Sequence, residues 1–457
     1  MLAMAALLVA LIAGCLLAFR YGGLDSLTPR WGAWLLLLGS GATAGIGITS
    51  TIFFLCRLAA PASPSLPYVC EAALLVWLVY ACATKKREEL APAAAAGFPW
   101  NWLLAILLLC VLAIGTAGMA ETWDANPQGN WDAWSIWNLR AKFLASPGDL
   151  ASRAWSAQLK ETHSEYPLLI SGFVARCWTY GNEISETVPM VTSYVFFLSL
   201  IAIVTGGIAI LRGGALGLLC GLFLAGTPSL LVEVPSQYAD IPLTAYYAAA
   251  LLFLLLDKPV VAGVFASFAV WTKEEGYLFL LVLFGMMALW RRSRMLQVAI
   301  GALPLFLLAL VFKLGIANAS SIVSVSNHGI ASRLFAPDRY VSVLGSFFGQ
   351  FWNMHLGFYH PIMPLLVLAY FVRFKRHNLP DAKFTGAIFA LLTAGYFMVY
   401  IITPNDLAWQ LQTSLNRIFV QAWALLVLSG FLALTPLEDF ATIIDVEPVK
   451  AKRKGKG

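Results

Sequence analysis

Apolar runs of about 14 to 25 residues, broken by short polar turns, recur from one end of this sequence to the other. They fall at 2–19, 31–55, 67–83, 100–120, 188–211, 214–231, 241–256, 259–272, 276–290, 296–316, 357–372, 383–402 and 416–434. An α-helix rises 1.5 Å per residue, so about 20 such residues cross a hydrocarbon core about 30 Å thick. Backbone polar groups in lipid must be satisfied within the segment itself, which selects helices for runs of this length. The pattern predicts an all-α, polytopic integral membrane protein with about 13 transmembrane helices. Two longer stretches break the series, at 121–187 and about 317–356.

Basic residues give the pattern a direction. Arg20 with Arg30, Lys85 with Lys86 and Arg87, Arg212, Lys258, Arg291 with Arg292 and Arg294, Arg373 with Lys375 and Arg376, and the tail at 450–456 fall in alternate turns. By the positive-inside rule those turns are cytoplasmic, which predicts an N-terminus outside, a C-terminus inside and two long extracytoplasmic loops. The first run is expected to be a retained helix. Ile12-Ala13-Gly14-Cys15 is like a lipoprotein processing site, but no basic segment precedes it.

Composition agrees: 60% of residues are hydrophobic and 12% charged, against about 25% charged in soluble domains. The net charge of +6 sits mainly in the basic turns and the tail, which suits anionic lipid and gives no reason to expect nucleic-acid binding. Seven cysteines show no CxxC or Cys/His spacing, so they read as small apolar side chains.

The loop at 121–187 is rich in tryptophan, with Trp123, Trp131, Trp134, Trp137, Trp155 and Trp178. Such a composition is opposite to that of disordered segments and predicts a folded, interfacial loop. Asn130 can cap a helix running to about 144, with Asp132 in the first turn, where the helix dipole favours a carboxylate. Trp134, Trp137, Ala141 and Leu144 would share one face, with Arg140 and Lys142 turned to headgroups or water. Pro147-Gly148-Asp149 would close that helix, with a second short helix at 152–161 and a turn at Glu165-Tyr166-Pro167 beyond it.

Between 257 and 290 the sequence Lys273-Glu274-Glu275-Gly276 splits an apolar stretch. As one helix it would be about 48 Å long, too long for one crossing, and each half is only about 21 to 23 Å. The arithmetic predicts a hairpin that turns below the outer surface, where each charge costs up to about 3 kcal/mol unless paired or wetted. Ser236-Gln237-Tyr238-Ala239-Asp240 precedes another short helix; Asp240 either caps it or lines a pocket. Lys273 either pairs with Glu274, Glu275 or Asp240, or contacts a ligand. Two short hairpins beneath an aromatic loop predict an outward pocket open to lipid. An amphiphile with an anionic head, such as a polyprenyl phosphate, has the complementary form.

In this order, Asp132-Ala133-Trp134 through Arg140-Ala141-Lys142, His163-Ser164-Glu165-Tyr166-Pro167-Leu168, Tyr238-Ala239-Asp240-Ile241-Pro242-Leu243 and Thr272-Lys273-Glu274-Glu275-Gly276 resemble the C-type (GT-C) glycosyltransferase superfamily. That superfamily includes protein O-mannosyltransferases and lipid A aminoarabinose transferases. Many of its members have Glu directly after the loop aspartate, where this chain has Ala133, and carry the loop after the first helix, not the fourth. The resemblance spans about 100–434. It implies additional N-terminal helices at 1–99, a GT-C-like core at 100–436 and a basic cytoplasmic tail at 437–457. It also implies transfer of a sugar from a polyprenyl-phosphate-linked donor to an extracytoplasmic glycan, lipid or protein acceptor.

That chemistry needs a base for the acceptor hydroxyl and a cation for the departing phosphate. Asp132 is the candidate base and Asp124 the second choice. Lys273 and Arg417 are candidate phosphate partners, Arg417 otherwise snorkelling to headgroups. Asp240, Glu274, Tyr238, His163 and Glu165 complete the candidate substrate-binding set. His163 and Glu165 could also hold a divalent metal beside Asp124 or Asp132, but no ligand spacing supports one and no cofactor is expected. His328, His355 and His360 read as interface or packing residues. Two rivals remain open: a transporter or lipid flippase, which would show repeated halves, and an O-antigen ligase or polymerase, which would place its catalytic arginines or histidines at 317–356.

Overall fold

The structure, a computed structural model, describes residues 1–61, 63, 65–85, 101–317, 329–354 and 379–436. The predicted run at 357–372, the tail, His328, His355, His360 and the basic turn at 373–376 lie outside the described residues. Every described element is helical. In chain order α1 is Leu2–Tyr21, α2 Arg30–Ala59, α3 Leu66–Ala83, α4 Asn101–Ala125, α5 Asn138–Ala145, α6 Leu169–Gly181, α7 Thr187–Arg212, α8 Gly214–Ala225 and α9 Pro228–Ser236. Next come α10 Asp240–Leu255, α11 Pro259–Thr272, α12 Glu275–Trp290, α13 Met295–Val311, α14 Ile330–Leu334, α15 Pro337–Asn353, α16 Leu379–Ile402 and α17 Leu407–Ala433.

Among these residues 8 helices are long and apolar enough to cross a membrane, and α8 with α9, bent by 60°, is either a ninth, broken span or a re-entrant loop. The chain is thus a multi-pass membrane protein by the length and composition of its helices. The three short helices expected around the charged turns are present: α10, α11 and α12 have 16, 14 and 16 residues.

Without a water-driven hydrophobic force between them, membrane helices associate by close packing, and glycine permits the closest approach. A Cβ on Gly45 of α2 would collide with the Ala10 carbonyl oxygen of α1. At the centre stands α10, buried on every side from Asp240 to Leu254, as expected for a helix apolar all round.

The basic turns meet at one end of the bundle. Arg212 and Arg291 share Asp381, at 3.3 and 2.6 Å, Arg294 reaches Asp257 at 2.7 Å, and Lys85 pairs with Asp25. The opposite end carries the 121–187 loop. Helix α6 lies across it, starting where Leu169 accepts a hydrogen bond from Ser50 of α2 and ending with Gly181 against Ala3 of α1.

Within that loop the register differs from expectation. Asn130 does not cap: its side chain donates to Ser236 Oγ at 2.9 Å, joining the loop to the α9–α10 turn. The helix opens at Trp131 and passes through a π-turn at Ala133–Trp137 before α5. The wider turn rotates the next residues about the helix axis, so Trp137, Ala141 and Leu144 are buried while Trp134 is 42% exposed, packed edge-on against Trp131. Arg140 is fully buried instead of facing headgroups. It donates to the carbonyls of Ala154 at 2.8 Å, Ser164 at 3.1 Å and Tyr166 at 2.7 Å, groups left open by irregular backbone. The second short helix is instead two 3-10 segments, Gly148–Trp155 and Ala157–Thr162.

Candidate functional site

Asp240 is the first residue of α10, and its side chain caps nothing. Its carboxylate turns sideways into the bundle, fully buried. There it accepts from Lys273 Nζ at 2.8 Å, Arg417 Nε at 2.9 Å and Gln421 Nε2. A carboxylate sunk this deep requires such partners, and they come from two separate elements, the end of α11 and the helix α17. Lys273, at the end of α11, also reaches Glu275 Oε1 at 2.9 Å and is 6% exposed. Of the two readings of Lys273, the geometry favours the ion pair: its ammonium is committed to Asp240 and Glu275.

Arg417 does not open the last span, because α17 begins at Leu407, about three turns earlier. The overlooked signal is Asp406, whose side chain accepts from Trp409 N at 2.8 Å and caps the helix. Arg417 is therefore held inside the bundle and does not snorkel. Its Nη1 pairs with Asp132 Oδ2 at 2.6 Å, its Nε with Asp240, and its plane lies over the Tyr238 ring, 4.1 Å from the centroid. Burial and the charge of Asp132 push the Tyr238 phenol up to about 12, so it stays neutral beneath the guanidinium. Nη2 of Arg417 and Oδ1 of Asp132 make no hydrogen bond to the described residues. Both residues are partly open, at 14% and 24% exposure.

Asp132 reaches this position because the loop seats on the α9–α10 turn. Gly129, at φ +75°, lies so near Ser236 that a Cβ would sit 2.6 Å from its carbonyl oxygen. Gln237 donates to the Pro127 carbonyl at 2.9 Å.

Glu274 and Glu275 part company. Glu275 joins the central network, whereas Glu274 pairs with Lys313 in a second π-turn, Phe312–Ile316. Both π-turns among the described residues thus touch charged groups of this region, where such turns are often found. His163 Nδ1 lies 3.2 Å from Glu165 Oε1, and the imidazole stacks on Tyr166 at 4.6 Å. Burial pushes the Glu165 carboxyl up, but hydrogen bonds from His163 and the backbone and the charge of Arg140 outweigh it and hold the group below the usual range. Asp124 is exposed near the end of α4 and takes no part in the network.

The structure brings together Asp132, Asp240, Lys273, Arg417 and Tyr238, leaves Glu274, His163 and Glu165 at the side, and sets Asp124 apart. Sequence reasoning missed Gln421, Glu233 and Asn416. Gln421 accepts from Tyr396 at 2.8 Å while donating to Asp240 and, at 3.3 Å, to Glu275. Glu233 is buried; one oxygen accepts from Asn416 at 2.9 Å and the other has no partner among the described residues. The signal was available in the first half of α17, where Gln410, Gln412, Thr413, Ser414, Asn416, Arg417 and Gln421 make a span unusually rich in polar groups.

The cluster sets three carboxylates, Asp132, Asp240 and Glu275, against two cations, Lys273 and Arg417. Its chemistry is a carboxylate and a guanidinium presented side by side at an open edge, backed by a closed ion-pair network. Among the described residues no group of three or more His, Cys, Asp or Glu is arranged to hold a metal. Comparison with protein-family models, curated proteins and solved structures gives no match to this chain.

Proposed function

We propose that the chain is a membrane glycosyltransferase of GT-C type. It moves a sugar from a polyprenyl-phosphate-linked donor to an acceptor on the extracytoplasmic side, where the positive-inside rule places the loop-bearing end of the bundle. The observation that carries this reading is the open edge formed by Asp132 and Arg417 at 2.6 Å. The acceptor oxygen attacks the anomeric carbon, the bond to the phosphate oxygen breaks with its electron pair, and the hydroxyl proton passes to Asp132. Arg417 Nη2 meets the departing phosphate. Lys273 moves from phosphate partner to positioning residue: it fixes Asp240, and Asp240 fixes Arg417.

The test is transfer of labelled sugar by the full-length protein in lipid nanodiscs, with a panel of polyprenyl-phosphate sugars and an envelope glycan or lipid extract as acceptor. Radiolabel is expected in the acceptor fraction with at least one donor; none with any donor rejects the reading. A transporter or flippase is favoured by one observation, the fully buried Asp240–Lys273 pair at 2.8 Å. Label crossing a vesicle bilayer without covalent transfer would establish that alternative. Of the groups that a ligase or polymerase would use, Arg339 directs Nε and Nη2 to the carbonyls of Ile401, Tyr400 and Thr403, and His328 and His355 lie outside the described residues.

A further inference from the structure

Outside the charged cluster, a groove with a volume of about 760 Å³ runs between α15 and the start of α17, a size within the range of about 300 to 1,000 Å³ typical of ligand sites. Ser342 and Ser346 line one wall, and Asp406, Leu407, Ala408, Leu411 and Gln412 the other. The serines recur four residues apart on α15, and the next step, Gln350, donates to Asn416 Oδ1 at 2.9 Å. Asn416 is the same four-residue step beyond Gln412 on α17. The two polar stripes therefore run in one direction, and the bond between Gln350 and Asn416 joins them beyond the groove's inner end.

That bond adjoins the proposed reaction edge. Asn416 donates to Glu233, whose second oxygen is buried without a partner among the described residues, and Arg417 is the next residue. Hydrogen-bonding capacity remains in the walls: neither Ser342 Oγ nor the Gln412 amide bonds a described residue, and Asp406 uses one carboxylate oxygen for its cap. Serine, glutamine and carboxylate groups with unspent hydrogen-bonding capacity suit a hydroxyl-rich ligand better than acyl chains, which make no hydrogen bonds.

We propose that this groove is the acceptor site and that its ligand class is carbohydrate, with a glycan end lying between α15 and α17 and one hydroxyl directed to the Asp132–Arg417 edge. The inference rests on the glycosyltransferase reading for the word acceptor, but the groove can be tested without turnover. Saturation-transfer NMR of the full-length protein in nanodiscs, with mannotriose and chitotriose as separate probes, is expected to show binding of at least one. Ser346→Phe fills the groove, and Gln412→Ala removes one amide; each should weaken the bound probe about 3-fold to 10-fold, the worth of one or two hydrogen bonds. In Ser346→Cys, the same probe should slow labelling by a membrane-impermeant maleimide at that position. Binding of neither sugar, or binding unchanged by the substitutions and without protection of Ser346→Cys, overturns the groove proposal. Sugar binding that tracks these variants in a protein without transfer activity upholds the groove and overturns the glycosyltransferase reading.

Discussion

Arg176 and Arg417 are both held among the helices by carboxylates, and they are held in opposite ways. Arg176 of α6 is fully buried and grips Glu71 of α3 with Nε at 2.7 Å and Nη2 at 2.5 Å. Its Nη1 donates to the Ala6 carbonyl at 2.9 Å, and Tyr180 Oη donates to the same Glu71 at 2.8 Å. One cation meets one carboxylate in the forked geometry that suits them. Arg417 is instead divided between two carboxylates, with one nitrogen and one Asp132 oxygen left for something else. The contrast separates fastening from function. The closed pair ties α1 and α3 to the loop-bearing end of the molecule, which gives the additional N-terminal helices a mechanical role. The open pair leaves unspent the groups that a reaction needs.

The largest expected effect lies at the closed pair. Arg176→Leu strands Glu71 in an apolar setting and should lower stability by about 3–5 kcal/mol, while Arg176→Leu with Glu71→Leu should recover most of that loss, because replacing both partners removes the buried charge altogether. Thermal or denaturant unfolding of the purified protein measures both. A double variant as unstable as the single one would show that Arg176 does more than fasten.

At the open pair the order of effects reverses. Asp132→Asn keeps shape and removes the proposed base, so transfer should fall on the order of 10²-fold, with unfolding close to that of the original protein because Asp132 is partly solvated. A large stability loss with transfer per folded molecule retained would make Asp132 a second fastener and erase the contrast. Arg417→Lys gives a smaller but more selective change. A lysine is a point charge and cannot serve Asp132, Asp240 and a phosphate at once, so donor affinity should fall about 10-fold, roughly 1.4 kcal/mol. Unaltered donor binding would remove the phosphate role.

The parts of this architecture that were legible in the sequence are those where the bilayer leaves little choice. Long apolar runs gave the helices long enough to span, and the shortness of the stretches around Lys273 and Asp240 gave the three short helices α10, α11 and α12, where buried charges find partners. The partners themselves were not legible, because Asp240 and Gln421 are 181 residues apart in the chain and Asp132 and Arg417 are 285; no local pattern links them. Neither was the register of the loop: a π-turn adds a residue to a turn without any composition signal, and this buried Arg140 and exposed Trp134. Glu274 and Glu275 are equivalent in sequence, and only the positions of their partners tell them apart, Lys313 for Glu274 and Lys273 with Gln421 for Glu275.

The smallest effect is expected at Asp124, and it sharpens the comparison by testing exposure without pairing. Asp124 lies eight residues before Asp132, in the same acidic and aromatic stretch, so composition alone gives the two nearly equal standing. The structure separates them. Asp124 sits exposed near the end of α4, with no cation among the described residues to position it and no contact with Arg417, whereas Asp132 is carried by the loop onto the α9–α10 turn and held at 2.6 Å. A base must lie within hydrogen-bonding reach of the proton it takes, so geometry outranks charge. An unpaired surface carboxylate contributes little to stability, within about 0.5 kcal/mol. Asp124→Asn is accordingly expected to keep transfer within about twofold of the original, well short of the factor assigned to a positioned base. Transfer assays on both single variants, with protein amount normalised by folded fraction, decide the matter. Loss confined to Asp124→Asn would place the base on α4 and reduce the Asp132–Arg417 pair to a structural contact like that of Arg176 and Glu71.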